Sequence, residues 1–195
     1  MRFRQEVQEV PRGLRRLAPP DPPLADHLIR LEPLARSLAP EMRWIESGDP
    51  DIARFTFLPS KPDPRFLDGW LGRYEEGWKT GDRAGFAVRD AAGAAVGFAA
   101  FVHLDLPARQ GEIGYVVAPE ARGRGIAGRA LGLLTRWGFD ELGLARVELR
   151  IDPRNTASGR VAERAGYRLD GVLRSVAFKE ELRSDIGVWS RLATD

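Results

Sequence analysis

The order of apolar patterns along this 195-residue chain predicts a mixed sheet with helices on both faces, in the α/β or α+β class. Three observations carry that prediction. Apolar residues recur at spacings of three and four over 65–79 and again over 125–142, the period of amphipathic helices. Between those stretches, and after the second, the period drops to two, as in strands buried on one face or both. The strand–helix–strand run over 112–151 reads as a parallel crossover within an order otherwise joined by hairpins.

Each element has its own warrant. Leu28 to Leu31 is a short strand, and a short helix is expected from near Pro40, a residue tolerated in a first helical turn. Phe66, Leu67, Trp70, Leu71, Tyr74 and Trp78 make one helical face, and Gly81 ends that helix. The aromatic stripe within it reads first as core. Phe86 and Val88 begin a strand, Asp90 to Gly93 reads as a hairpin turn, and Val96, Phe98, Ala100, Val102 and Leu104 alternate through the return strand. Residues 111–117 make the next strand. Ile126, Ala130, Leu133, Leu134 and Trp137 share a face of the second long helix, and Val147, Leu149 and Ile151 alternate in another strand. A short helix over 156–165 and strands near 167–173 and 184–192 complete the chain.

Composition narrows the chemistry. The chain is 43% hydrophobic and 30% charged, ordinary values for a globular domain. With no cysteine, thiolate metal sites, disulfides and cysteine nucleophiles are excluded, and the two histidines, His27 and His103, lie too far apart in sequence to suggest a metal site. Neither a nucleophile elbow, nor an apolar span of membrane length, nor a signal peptide occurs, so a cytoplasmic chain without membrane or metal partner is expected. Net charge is +2, and of the 30 basic residues only Lys61, Lys79 and Lys179 are lysines. Residues 1–25, proline-rich from Ala18 to Pro23, read as a basic arm ahead of a single domain over 26–195. The arm is either a solvated spacer or a segment that contacts a partner or an acidic ligand. The near-neutral remainder makes a nucleic-acid role unfavoured.

The segment richest in chemistry is Val116 to Gly128. A strand enters a turn containing Gly123 and Gly125, and the turn opens the second long helix. Glycines let the backbone gather several N–H groups at one point. The helix N-terminus adds about half a positive charge there, which suits a diphosphate. Arg122, Arg124, Arg129 and Arg136 surround it, and residues 121–139 contain no acid, so a positive local field is expected. A Walker loop is absent, lacking its lysine and hydroxyl. The dinucleotide fingerprint is matched by Gly123, Gly125 and Gly128, but at the wrong place in the strand order.

Arg122-Gly123-Arg124-Gly125-Ile126-Ala127 resembles the [QR]-x-x-G-x-[GA] signature of the GNAT superfamily of acyl-CoA N-acyltransferases. Asn155 to Ser158 and Glu163 to Tyr167 resemble a later segment of that family. Gly171 to Arg174 and Asp185 to Ser190 resemble the endings of its ribosomal-protein N-terminal acetyltransferase branch (RimJ/RimL type). The resemblance spans roughly 26–195. It implies a mostly antiparallel central sheet with one splayed central strand pair.

It also implies roles. The main-chain amides of Arg122, Gly123, Arg124, Gly125, Ile126 and Ala127, with Gly128 adjacent, would bind the CoA pyrophosphate. The main chains of Tyr115, Val116 and Val117 would pair with the pantetheine arm, and one amide there could hold the oxyanion. Glu112 would be the base that deprotonates the acceptor ammonium, directly or through water, or else a structural ion-pair member. Asn155 and Ser158 would contact CoA, with Ser158 protonating or hydrogen-bonding the departing thiolate; the alternative is a plain helix cap. The tyrosine that many family members use as acid falls at Ala162, which puts that route in doubt, and Tyr167 reads as packing. His103 is either a structural histidine or part of an acceptor pocket. The implied donor is acetyl-CoA, or another acyl-CoA such as succinyl-CoA. The implied partner is a primary amine on a protein N-terminus or a small molecule, and a homodimer is compatible. A noncatalytic acyl-CoA sensor is the rival from another class.

Overall fold

A computed structural model describes residues 17–56, 58–59 and 64–195. The basic half of the expected arm, 1–16, lies outside the described residues. Its proline-rich end lies against the domain: the Leu17 amide donates to the Trp78 carbonyl (3.0 Å), the Leu31 amide donates to the Leu24 carbonyl (2.8 Å), and Leu17 and Leu24 pack on the core.

Seven strands form one sheet in the order β1-β2-β3-β4-β5-β7-β6. They are β1 (Ile29–Pro33), β2 (Ala84–Asp90), β3 (Ala95–Asp105), β4 (Gln110–Val117), β5 (Arg146–Ile151), β6 (Arg168–Lys179) and β7 (Leu182–Leu192). All neighbours are antiparallel except β4 and β5, as the crossover at 112–151 predicts. The helices are α1 (Pro50–Phe55), α2 (Pro64–Thr80), α3 (Ile126–Asp140) and α4 (Thr156–Arg164).

Alternation along β3 divides the core between two faces. Ala99 and Phe101 join a cluster with Ile113, Leu131, Leu134 and Trp137, whereas Phe98 and Ala100 join Leu71, Trp70, Tyr74 and Met42. Helices α3 and α4 therefore cover one face, and α2, α1 and a 3-10 segment cover the other. Burying these side chains is the main stabilising term, at about 25 cal/mol per Å² of apolar surface. The stripe on α2 is core: Trp70, Tyr74 and Trp78 are buried and meet Phe98 and Phe86 edge-on at 4.8–5.4 Å.

Two expectations need correction. The helix near Pro40 is a 3-10 segment that starts earlier, at Arg36, and runs to Glu46 with Pro40 inside it. Burial of Leu38, Met42 and Ile45 holds it, together with Arg89, which pairs with Glu32 of β1 and reaches Glu41 of the segment at 2.6 Å. The last two strands are longer than expected, because bulges carry the pairing past Ser175, whose φ is +57. Strand β6 is a sheet edge that leaves Leu169, Val172, Leu173, Val176 and Phe178 exposed.

Candidate active site

The parallel pair that carries the site is short. Gln110, Gly111 and Glu112 face Arg146, Val147 and Glu148, and there the pairing stops. Strand β4 continues to Val117 on β3 alone, and β5 continues to Ile151 on β7 alone. The two strands splay, and from Ile113 onward β4 turns one line of backbone donors and acceptors toward the gap. Buried backbone groups of that kind need partners, and an extended ligand can supply them.

A cleft of about 330 Å³ opens from this splay. Its walls are the end of β4, the turn at 121–128, the start of α4 and, from the opposite side, α1. At the turn, Gly123 and Gly125 have φ of +77 and +75, in the left-handed region that favours glycine. Gly125 is the N-cap of α3 and has no side chain with which to cap it. The first-turn amides of Ile126, Ala127 and Gly128 have no preceding helical carbonyl to reach. A Cβ added at Gly123, Gly125 or Gly128 would meet nothing within 4 Å, and Gly123 and Gly125 to Gly128 line the cleft, so the turn borders open space. Arg122 contributes differently, since its own amide donates to the Pro119 carbonyl (3.3 Å).

The expected positive field at the turn is partly neutralised by acids from other elements. Arg122 forms a two-pronged ion pair with Asp49 (2.7 and 3.0 Å) and reaches Asp51 (3.4 Å). Arg129 pairs with Asp26 at 2.8 Å, and Arg124 donates to the Glu120 carbonyl at 3.0 Å. The Arg122 guanidinium holds the Asp49 carboxyl below the usual carboxylate range. Burial pushes Asp26 up, but the Leu28 amide and Arg129 outweigh that and leave it at about 2. The sequence shows no acid within 121–139 and gives no sign of these three.

Helix α1 is too short to stand by itself. Asp49 caps its first turn and links it to Arg122. At its other end, the Lys179 ammonium from the β6–β7 hairpin donates to the carbonyls of Ala53, Thr56 (2.9 Å) and Leu58 (2.6 Å). One of the chain's three lysines thus fixes the wall formed by Ile52, Phe55 and Thr56. Replacing Lys179 with methionine keeps the stem but strands these carbonyls. A loss of about 2 kcal/mol follows, read as a fall of about 4–8 °C in Tm by calorimetry. An unchanged Tm would show that α1 is held in some other way.

Asn155 accepts the Ser158 amide through its side-chain oxygen at 3.0 Å, as a helix cap does, and it also lines the cleft. Ser158 and Tyr115 both line the cleft, and the Tyr115 hydroxyl donates to the Ser158 carbonyl at 3.3 Å. Burial pushes the Tyr115 phenol up to about 12. The family resemblance implies a role for Tyr115 through its main chain only. The phenol is an additional group, and its position follows from the splay rather than from any motif. Tyr167 is buried against Thr135, hydroxyl to hydroxyl at 2.7 Å, and takes no part in the cleft.

Glu112 sits at the last paired position before the splay, directed with Gly114 and Val116 to the face carrying α2. Its cross-strand neighbours are exposed His103 on β3 and Glu148 on β5. Burial pushes its carboxyl above the ordinary range. The Arg150 guanidinium, at 3.2 Å, opposes that shift, and the Glu148 charge adds to it. Glu112 is thus an ion-pair member, level with Glu148 where the pairing ends; neither carboxylate is among the residues that line the cleft, whereas Asp51 is. Among the described residues there is no group of three or more potential metal ligands, and no helix is long and apolar enough to cross a membrane.

A strand that splays, then a glycine turn that presents amides at a helix start, form a groove shaped for an extended ligand with an anionic end. Residues 29–168 match the acetyltransferase (GNAT) domain model, and the chain belongs to that family. The uncharacterized N-acetyltransferase YoaA of Bacillus subtilis is 32% identical over 94 residues, which cover 48% of this chain and 53% of YoaA. The chain thus matches about half the length of such curated relatives. Among solved structures, a probable acetyltransferase (GNAT family) from Chromobacterium violaceum is 26% identical with a TM-score of 0.77, covering 97% of this chain and 96% of that one. RimL, a ribosomal alpha-N-protein acetyltransferase in complex with coenzyme A, shares the fold with a TM-score of 0.78 at 16% identity, covering 87% of this chain and 96% of its own.

Proposed function

We propose that the chain transfers an acyl group, acetyl in the first instance, from acyl-CoA to a primary amine by direct attack. The observation that carries this reading is the continuity of the unpaired β4 edge with the open amides at 125–128. Together they form a track for an extended arm that ends in a diphosphate. RimL, solved with coenzyme A on the same fold, supports the donor class.

The diphosphate rests on the amides of Gly123 to Gly128, and the pantetheine pairs with the main chain of Tyr115, Val116 and Val117. That places the thioester in the splay, where a β4 amide can hold the oxygen as it gains charge. The acceptor arrives as an ammonium and must lose a proton before it can attack. Glu112, raised by burial, takes it directly or through water. The nitrogen adds to the thioester carbon and is left with one proton too many; the C–S bond breaks, and the departing thiolate takes up that proton, relayed through Ser158 or water, with the Tyr115 phenol beside it. Most of the rate comes from holding amine and thioester together. The acceptor is a protein N-terminus or a small amine, and succinyl-CoA remains an alternative donor. The homodimer finds a candidate surface in the exposed apolar edge of β6, and sedimentation of the purified chain tests it.

The test is an acceptor screen with acetyl- and succinyl-CoA that reads release of free thiol. Amine-dependent release is expected. Tight CoA binding without release for any amine class would favour the noncatalytic sensor.

A further inference from the structure

One side chain joins the two carboxylates at the point where the β4–β5 pairing ends. In the parallel register Glu112 faces Glu148, so Arg150, two residues further along β5, stands level with Gly114, beyond the last paired position. Its Nε bridges the two carboxylates, 3.2 Å from Glu112 and 3.2 Å from Glu148. The carboxylate side chains are 19% and 21% exposed, whereas the arginine is 45% exposed. The acids are the more buried members of this arrangement and the guanidinium is the more exposed one. Glu148 is further anchored by Arg146 at 3.2 Å, which in turn binds Asp170 at 2.8 Å.

We propose that Arg150 holds the seat of the acceptor's ammonium, that a cationic amine displaces it from between Glu112 and Glu148, and that Glu148 is the positioning residue that keeps the amine beside Glu112. This rests on the acyl-transfer reading above. It adds to that reading a second carboxylate, a resident competitor and a selectivity for acceptors that arrive charged. A thioester held along β4 past Glu112 lies beside Gly114 and Val116, so the place vacated by the guanidinium adjoins the reacting carbon. Arg150 swings toward solvent, where a guanidinium is readily hydrated, and the ammonium passes its proton to Glu112 before the nitrogen attacks.

The charged and titratable groups that face Glu112 are Arg150 and Glu148 on β5, His103 on β3 and the Tyr74 phenol on α2. Because Glu148 raises the Glu112 carboxyl and Arg150 lowers it, their removal has opposite signs. Activity rises with pH as Glu112 ionises. Glu148→Gln moves that rise to lower pH, and Arg150→Ala moves it to higher pH. Those shifts follow from the charges alone; what a merely structural ion pair would not add is a lower KM for a cationic acceptor in Arg150→Ala and a higher one in Glu148→Gln.

The direct test needs no turnover. The Glu112 side-chain carbonyl is followed by ¹³C NMR while n-butylammonium chloride is added to the wild type, Arg150→Ala, Glu148→Gln and the double variant. Arg150→Ala is expected to bind the probe about fivefold more tightly than the wild type, the scale of one partly exposed ion pair, and Glu148→Gln is expected to reverse that gain. Equal probe affinity in the wild type and Arg150→Ala, or an Arg150→Ala gain that survives Glu148→Gln, would overturn the proposal. Either result would leave thiol release in the acceptor screen untouched, so the two readings fail separately.

Discussion

Gly125→Asp raises the Kd for acyl-CoA by roughly 30- to 700-fold. The aspartate Cβ meets nothing within 4 Å, so the change is not a clash. It places a carboxylate on the amides that the diphosphate needs and sets like charges about 4 Å apart. At an effective dielectric constant near 20 that repulsion is at most about 4 kcal/mol, and with solvent exposure about 2–4 kcal/mol is reasonable. Backbone strain at φ +75 costs about a further 1–2 kcal/mol of stability. Gly125→Ala carries the same strain without the charge and separates the two effects. Titration calorimetry with CoA should give a small loss for alanine and a large one for aspartate. Equal losses would remove the diphosphate from this turn.

Glu112→Gln lowers kcat by about 10²- to 10⁴-fold, the usual worth of a positioned base, and abolishes the acid limb of the pH–rate profile. The sign of the stability effect is informative. Burial raises this carboxyl in the folded state, so the fold binds the proton more tightly than the unfolded chain does. Between the ordinary carboxyl range and the raised value, stability therefore falls as pH rises. A permanently neutral glutamine escapes that cost, and Arg150 keeps Glu148 as its partner. The variant should melt at the wild-type temperature or slightly above it at neutral pH while losing turnover. Loss of both activity and Tm would point to a structural carboxylate. A wild-type pH profile would remove Glu112 as base and leave a water chain.

What could be read in advance follows the length scale of each interaction. Helices α2 and α3 were legible because four turns or more of one apolar face leave a periodic record. The glycine turn was legible because backbone demands restrict residue type at fixed spacing, and Asn155 because a cap is local. Helix α1 was not legible. Its six residues carry no periodic face, and what holds them comes from Arg122 and Lys179, more than 60 and 120 residues away. The same distance hid Asp26, Asp49 and Asp51 from a charge count restricted to 121–139. The 3-10 segment at 36–46 was misplaced because Pro40 reads as a start, whereas a chain of short turns tolerates one missing donor within it. Tyr115 and Arg150 acquired their places from where the β4–β5 pairing ends, a register property that neither strand announces alone.

The central claim is that the amides at the start of α3 hold the diphosphate of an acyl-CoA whose arm lies along the free edge of β4. Backbone amide NMR during a titration with CoA tests it most directly. The account predicts the largest shifts at Gly123 to Gly128 and along Tyr115 to Val117, saturating together, with Gly125→Asp abolishing both sets. Saturable shifts confined to another part of the molecule, with these amides unmoved, would contradict it.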